Sequence, residues 1–217
     1  MALKNIYLIR HGQSAENESG ILSDGTAPLT AQGRQEATTV AARVQTLKPD
    51  TLMASHYLRA QQTAATISEA TGLPVETYDF LFENRYPSWT IGKHHRAPDV
   101  LESALYIHDQ YVEEDFKQDD AESFAELKER GQKTLSLLAA HSGQNIVVVS
   151  HGLFIRFLVG LMIFGNEFTG REFKALIHGF NTKNTGVTWC LYDESFHAKP
   201  WRLMTWNDHE HLAETNE

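Results

Sequence analysis

The sequence contains a single cysteine, Cys190, and this excludes a disulfide within the chain. Because Cys190 lies in the apolar run Val187–Leu191, we expect it to pack in the core. The chain also lacks an apolar run of about 18 residues, the length that a membrane-spanning helix needs. No charged-then-apolar signal segment follows Met1, so the sequence predicts a cytoplasmic protein without a membrane partner.

Positive charge is also scarce in this chain. Its 19 Lys and Arg residues are outnumbered by 28 Asp and Glu residues, which gives a formal net charge of −9. Nucleic acids and anionic membrane surfaces bind proteins that present a basic face, so the composition argues against both as partners. A local basic pocket remains compatible with this total.

The order of the predicted elements indicates an α/β protein. Short β-branched runs alternate with stretches of helical periodicity, which predicts a three-layer fold with a mostly parallel central sheet and helices on both faces. At 217 residues, without a repeat or a linker, residues 1–206 are predicted to form a single domain. Residues 207–217 are polar and acidic, and we expect them to form a flexible tail.

Some segments carry weaker signals. Residues 16–28 are polar and contain glycine, so they read as a loop, and so do residues 79–98. A helix is predicted over about residues 99–115, whereas residues 173–180 fit neither pattern clearly.

Two β-branched runs, far apart in the chain, each end in a histidine followed by a glycine. The run Ile6–Ile9 leads into Arg10-His11-Gly12, and the run Ile146–Val149 leads into Ser150-His151-Gly152. Open α/β sheets bind ligands at the carboxyl ends of their strands. If the two strands are parallel neighbours, both histidines lie at one crevice, where a glycine such as Gly12 lets the backbone approach a bound group.

Two further polar residues occur at predicted element boundaries. Arg59 falls in the first turn of a helix, where free backbone N–H groups and a guanidinium can bind an anion together. Glu83 follows three apolar residues at the start of an irregular loop. Each of these features, taken alone, is also compatible with a solvated side chain.

Together these residues suit phosphoryl transfer. Two arginines and two histidines at one sheet edge would form a cationic pocket for a dianionic phosphoryl group. One histidine could attack phosphorus, and a carboxylic acid such as Glu83 could protonate the departing alkoxide. This chemistry requires neither a metal ion nor a cofactor, and the residues alone do not decide which histidine is the nucleophile.

In its motifs the chain resembles the histidine phosphatase superfamily, which includes phosphoglycerate mutases. The matching motifs span most of the chain: Arg10-His11-Gly12 with Asn17, Arg59-Ala60 with Thr63-Ala64, Glu83, Glu122-Ser123-Phe124 with Arg130, Ser150-His151-Gly152, and Asn184-Thr185. The resemblance implies a phosphoglycerate mutase-like fold, a phosphorylated small-molecule substrate, His11 as the phosphorylated nucleophile and Glu83 as the acid/base. It further implies that the phosphate is held by Arg10, Asn17, Arg59, His151 and Gly152.

The sequence leaves several alternatives open. The segment after Glu83 is short and its second half is acidic, which favours a metal-independent phosphomonoesterase over a phosphoglycerate mutase. A regulatory module that binds a phosphorylated ligand without turnover is a third hypothesis. The basic loop Lys93–Arg96 could contact a second anionic group of the substrate, and His209 with His211 form a weak metal-like pattern. The sequence does not decide the oligomeric state, and a homodimer is compatible with it.

Overall fold

Strand β1, Leu3–Arg10, is the central element of the fold, and its middle residues are apolar and buried. The computed structural model describes residues 3–196 and 198–215 of the chain. Ile6 and Leu8 face one core cluster, whereas Tyr7 and Ile9 face another, as the period of two along a strand requires. Both faces of the strand are therefore covered, which explains why its sequence reads as a continuous apolar run.

Besides β1, the strands are β2 (Thr51–Ser55), β3 (Val75–Tyr78), β4 (Asn145–Ser150), β5 (Val187–Asp193) and β6 (Trp201–Asp208). Within the described residues, the six strands form one sheet in the order β3-β2-β4-β1-β5-β6. The pairs β1–β4, β2–β4 and β2–β3 are parallel, whereas β5 and β6 extend the sheet with antiparallel pairs. The prediction of a three-layer, mostly parallel α/β fold is confirmed.

Helices cover both faces of the sheet. Side chains of the second and third helices pack on the Tyr7 face, and those of the fifth, sixth and seventh pack on the Ile6 face. No described helix is both long enough and apolar enough to cross a membrane. The helices are α1 (Ala15–Ser19), α2 (Ala31–Thr46), α3 (Leu58–Thr71), α4 (Pro98–Gln110), α5 (Phe124–Ala140), α6 (Gly152–Phe164) and α7 (Gly170–Gly179).

The structure refines the assignment of four segments with weaker sequence signals. The predicted loop over residues 16–28 contains α1, which Ser14 caps by accepting a hydrogen bond from the backbone N–H of Asn17. The helix predicted to reach about residue 115 ends at Gln110, and the unassigned segment 173–180 lies in α7 as far as Gly179. A one-turn 3₁₀ helix, Ser88–Thr90, interrupts the predicted loop over residues 79–98.

Residues 207 and 208, which the composition assigns to a polar tail, belong to the last strand of the sheet. Strand β6 continues to Asp208, whose carboxylate pairs with the guanidinium of Arg43 at 2.5 Å. The ring of His211 lies 3.1 Å from the same guanidinium and 3.3 Å from Oγ1 of Thr185. Polar partners on α2 and before β5 thus anchor a segment whose composition suggests solvation, and the last two residues lie outside the described part of the chain.

Gly12 serves packing against α2. A Cβ atom at Gly12 would lie 2.5 Å from the carbonyl oxygen of Gly33, and one at Gly33 would lie 1.9 Å from the carbonyl oxygen of Gln13. These distances are far below van der Waals contact, so two glycines allow the turn after β1 to cross the start of α2. The close approach predicted for Gly12 is therefore an approach of the backbone to the backbone.

Candidate active site

The register of β1 and β4 places the two histidines side by side. Arg10 pairs with Ser150 at the carboxyl ends of these parallel strands, so His11 and His151 emerge next to each other. Their ring centroids are 5.1 Å apart, and the residues are 2% and 0% exposed. Two chain segments about 140 residues apart thus meet in one buried cluster.

The hydrogen bonds of His11 define its tautomer. Its Nδ1 lies 2.7 Å from the carbonyl oxygen of Gly12, which can only accept, so Nδ1 carries the proton. Its Nε2 accepts a hydrogen bond from Nε of Arg59 at 3.0 Å and therefore holds a lone pair. Burial, followed by the positive charges of Arg59 and Arg10, lowers the pKa of His11 well below the usual value of 6.5. The imidazole is neutral, and its unprotonated nitrogen contacts a cation.

His151 is held from the opposite side. Its Nε2 lies 2.9 Å from Oγ of Ser55, at the end of β2, while its buried Nδ1 has no hydrogen-bond partner among the described residues. Burial, followed by the charge of Arg59, lowers the pKa of His151 well below 6.5. A buried polar atom without a partner costs free energy, which a ligand can recover by bonding to it.

Arg10 and Arg59 bring two positive charges to the histidines. Arg10 donates from Nη1 to the carbonyl oxygen of Thr182 at 2.5 Å, and its buried Nε has no partner among the described residues. Burial lowers the pKa of Arg10, but a guanidinium stays charged at neutral pH. Arg59, in the first turn of α3, donates from Nη1 to the carboxylate of Glu16 at 3.3 Å. The four side chains form a cationic cluster in which two buried nitrogens, Nε of Arg10 and Nδ1 of His151, have no hydrogen-bond partner among the described residues.

Glu83 lies at the N-terminus of α6. Its Oε1 accepts hydrogen bonds from the backbone N–H groups of Phe154 and Asn84, both at 3.0 Å, and its Oε2 accepts one from Leu153 at 3.2 Å. The helix dipole favours a carboxylate at this position. Because α6 begins directly after His151, the helix that follows the second histidine also fixes the candidate acid.

Asn17 and Gly152 support the cluster from its edges. Oδ1 of Asn17 accepts from the backbone N–H of Ser14 and from Nδ2 of Asn184, each at 3.2 Å. Nδ2 of Asn184 also donates to the carbonyl oxygen of His11 at 2.9 Å, so the pair of asparagines ties the turn after β1 to the segment before β5. Gly152 packs beside the guanidinium of Arg10.

Glu16 belongs to the site and was missed by the sequence analysis, which placed it in a polar loop. Its Oε2 accepts hydrogen bonds from Oγ of Ser23 at 2.5 Å and from Arg59. The carboxylate of Glu16 and Nε2 of His11 thus both accept hydrogen bonds from the Arg59 guanidinium. No pattern in the sequence indicates this contact, since Glu16 and Arg59 are brought together only by the fold.

A cavity of about 430 Å³ opens beside the cluster. Its wall combines apolar and aromatic side chains with the cations Arg59 and Arg85 and with four carboxylates, those of Glu16, Asp24, Glu83 and Asp120. Residues 93–96 do not contribute to this wall within the described structure.

The loop Lys93–Arg96 and the pair His209 and His211 have polar partners outside the cavity wall. Lys93 pairs with Asp99 at 2.7 Å, and the ring of His95 contacts the carbonyl oxygen of Gly20 at 3.0 Å. Nδ1 of His209 lies 2.8 Å from the carbonyl oxygen of Asn207, whereas His211 contacts Arg43 and Thr185, so the two rings have different partners. The described residues hold no group of three or more His, Cys, Asp or Glu side chains arranged to bind a metal ion.

The burial of neutral histidines predicts an acid-sensitive fold. Unfolded histidines bind protons below about pH 6.5, whereas His11 and His151 in the folded protein do so only at much lower pH. Stability is therefore fully present above pH 6.5 and falls with decreasing pH, by up to about 1.4 kcal/mol per pH unit for each histidine.

Urea unfolding at pH 7.5 and 5.5 measures this effect. We expect His151→Asn to reduce the difference between the two free energies of unfolding, whereas the exposed control His94→Asn leaves it unchanged. If the free energy of unfolding changes equally between the two pH values in the wild type and in His151→Asn, then His151 does not contribute to the acid sensitivity and the prediction is wrong.

Comparison with known proteins places this arrangement in a family. A probable phosphoglycerate mutase GpmB of Enterobacter sp. (strain 638) is 30% identical over 208 residues, covering 93% of this chain and 89% of the relative. The solved structure of a mycobacterial glucosyl-3-phosphoglycerate phosphatase with VO3 has a TM-score of 0.77 at 21% identity, over 95% of this chain and 100% of its own. The α-ribazole phosphatase of Shigella flexneri has a TM-score of 0.75 at 23% identity, over 94% and 96%.

Both solved structures share the fold of this chain. The family model for the histidine phosphatase superfamily (branch 1) matches residues 6–209, which contain every residue of the site described above. The chain belongs to the histidine phosphatase superfamily.

Proposed function

We propose that this protein is a metal-independent phosphomonoesterase that hydrolyses a phosphorylated small molecule through a phosphohistidine on His11. The observation that carries the proposal is the hydrogen bonding of His11, which keeps a proton on Nδ1 and a lone pair on Nε2. Nucleophilic catalysis by histidine requires this tautomer, because the attacking nitrogen must be unprotonated. The proposal extends to a cytoplasmic location, which suits a soluble substrate.

In the first step, Nε2 of His11 attacks phosphorus and forms a P–N bond. The bond from phosphorus to the leaving oxygen breaks, and its electron pair stays on that oxygen, which takes a proton from the carboxylic acid of Glu83. The alcohol departs, Glu83 is left as a carboxylate, and the proton on Nδ1 of His11 remains hydrogen-bonded to Gly12.

In the second step, water attacks the phosphohistidine. The Glu83 carboxylate takes a proton from the water as its oxygen bonds to phosphorus, and the P–N electron pair returns to Nε2. Inorganic phosphate leaves, and both His11 and Glu83 regain their starting protonation states. The same carboxyl group thus acts as acid and then as base, so the cycle needs no other proton carrier.

The surrounding side chains would stabilise the phosphoryl group. Nε of Arg10 and Nδ1 of His151 are buried nitrogens free to bond its equatorial oxygens, and Arg59 would exchange its contact with His11 for another oxygen. Asn17 and Gly152 complete the proposed phosphate site at its edge. Nε of Arg10 and Nδ1 of His151 need no such exchange, and donors fixed before the reaction lower the barrier without a cost of reorganisation in the transition state.

The charge of the cavity wall favours hydrolysis over mutase activity. Beyond the phosphate cluster, the cavity wall presents the carboxylates of Asp24 and Asp120 and the cation Arg85. A phosphoglycerate mutase must also hold the carboxylate of 3-phosphoglycerate, which carboxylates in the wall repel. A neutral alcohol is therefore the leaving group that this wall suits. Mutase activity is the second candidate, because a 30% identical relative is named a probable phosphoglycerate mutase.

The matched substrates glycerol 3-phosphate and 3-phosphoglycerate test the choice, because they differ by a neutral hydroxymethyl group against a carboxylate. With excess chelator present, we expect phosphate release from glycerol 3-phosphate with a kcat/KM at least about tenfold above that for 3-phosphoglycerate. A coupled assay with bisphosphoglycerate primer measures isomerisation. Isomerisation of 3-phosphoglycerate faster than any phosphate release would overturn the hydrolase in favour of the mutase.

A further inference from the structure

A buried ion pair lies behind the segment that carries Glu83. Arg130, on α5, donates from Nε and Nη2 to the two carboxylate oxygens of Glu122, each at 2.7 Å. The two residues are 8% and 3% exposed. A buried pair of this kind repays its desolvation only when further hydrogen bonds satisfy the remaining groups, so the third nitrogen of the guanidinium is informative.

That third nitrogen holds the backbone next to Glu83. Nη1 of Arg130 donates to the carbonyl oxygens of Phe80 at 3.1 Å and of Phe82 at 2.7 Å. The carbonyl between them, that of Leu81, accepts from Oγ of Ser150 at 2.8 Å. This segment lies after β3 and outside any helix or strand, so side chains supply the hydrogen bonds that secondary structure would otherwise provide.

The same guanidinium contacts the residue before Glu83 and one of the residues that bind the Glu83 carboxylate. Cζ of Arg130 is 3.9 Å from the ring centroid of Phe82 and 3.9 Å from that of Phe154. Phe82 directly precedes Glu83, and the backbone N–H of Phe154 donates to the Glu83 carboxylate. A planar cation between two aromatic faces restrains both rings.

We infer that Arg130, oriented by Glu122, is a positioning residue that fixes Glu83 for proton transfer to the leaving group. This inference rests on the proposed function, since it assigns Arg130 a role in the acid/base step. The guanidinium suits the task because its planar fork makes four hydrogen bonds in one plane. The single ammonium of a lysine cannot reproduce them.

A comparison of two leaving groups isolates this role. The glycerol leaving group of glycerol 3-phosphate needs a proton, whereas p-nitrophenolate departs from p-nitrophenyl phosphate without one. Because kcat/KM reports only the steps up to formation of the phosphohistidine, the ratio of the two kcat/KM values measures proton donation by Glu83. The ratio is also independent of the fraction of folded protein, so a destabilised variant remains informative.

We expect Arg130→Lys to raise the ratio of p-nitrophenyl phosphate to glycerol 3-phosphate by about tenfold to hundredfold. Glu122→Gln, which keeps the side-chain shape, should raise it in the same direction and serves if Arg130→Lys folds poorly. Lys4→Met is the matched control. Nζ of Lys4 caps the C-terminal end of the same helix through the carbonyl oxygens of Leu138 and Ala139, far from the site.

Lys4→Met should weaken α5 and leave the ratio within about twofold of the wild type. If Arg130→Lys and Glu122→Gln lower both kcat/KM values equally while Glu83→Gln raises the ratio, the positioning role is wrong and the proposed function stands. If Glu83→Gln leaves the ratio unchanged, Glu83 is not the acid, and the proposed chemistry and the positioning role both fail.

Discussion

The variant His11→Asn is expected to lose more than about 10⁴-fold in kcat/KM for p-nitrophenyl phosphate. Asparagine can still donate to the carbonyl oxygen of Gly12, so the turn after β1 keeps its hydrogen bond. It presents no nitrogen lone pair to phosphorus, however, and the remaining cationic cluster can only bind phosphate. Loss of the nucleophile should therefore remove the covalent step and leave binding intact.

Steady-state kinetics and trapping of the phosphoenzyme measure this prediction. The wild type should yield a labelled protein whose phosphate is stable in alkali and labile in acid, as a P–N bond requires, and His11→Asn should yield none. His209→Asn, outside the cavity wall, is the control and should match the wild type. Activity of His11→Asn within tenfold of the wild type would show that another group attacks phosphorus.

The second large effect concerns Glu83→Gln and depends on the leaving group. We expect kcat/KM for glycerol 3-phosphate to fall by about 10²-fold to 10³-fold, and that for p-nitrophenyl phosphate by less than tenfold. The glutamine oxygen can still accept from the backbone N–H of Phe154, so the side chain keeps its place at the start of α6. It cannot release a proton to an alkoxide.

The same variant should also accumulate phosphohistidine, because Glu83 acts as the base for water in the second step. A burst of p-nitrophenol equal to the enzyme concentration, followed by a slow steady state, is the expected record of that accumulation. Equal losses on both substrates without a burst would mean that Glu83 acts on binding and not on proton transfer.

The core of the fold and the meeting of the histidines follow from local sequence signals. The runs Ile6–Ile9 and Ile146–Val149 are long enough, apolar enough and β-branched enough to specify buried strands. Parallel neighbours align their carboxyl ends, so the residues that follow each run must share one edge of the sheet. The two runs therefore predict the cluster of His11 and His151 on the condition that their strands are parallel neighbours, and the sheet order confirms that condition.

Contacts made by the fold alone could not be predicted in this way. Glu16 holds Arg59 across 43 positions of sequence, and neither residue belongs to a periodic pattern that indicates the other. The carboxylate of Glu83 is bound by backbone N–H groups of α6, which every helix start possesses whatever its side chains. Likewise, α1 has five residues, too few for a helical period to show.

The contacts of the C-terminal segment also depend on distant residues. Its composition predicts solvation, but Arg43 on α2 offers a partner for Asp208 that the local sequence does not reveal. The turn at Gly12 shows the converse case, because the sequence correctly marks a close approach but not its partner, Gly33. Composition and spacing identify which positions are constrained, whereas the identity of the constraint depends on segments that are distant in the chain.

The crystal structure of the protein soaked with orthovanadate tests the central claim most directly. The phosphohistidine mechanism predicts that vanadium bonds to Nε2 of His11 and that Arg59 moves from that nitrogen to a vanadate oxygen. Nε of Arg10 and Nδ1 of His151 should then lie within hydrogen-bond distance of the other oxygens. Vanadate bound elsewhere, with Nε2 of His11 still accepting from Arg59, would contradict the phosphohistidine mechanism.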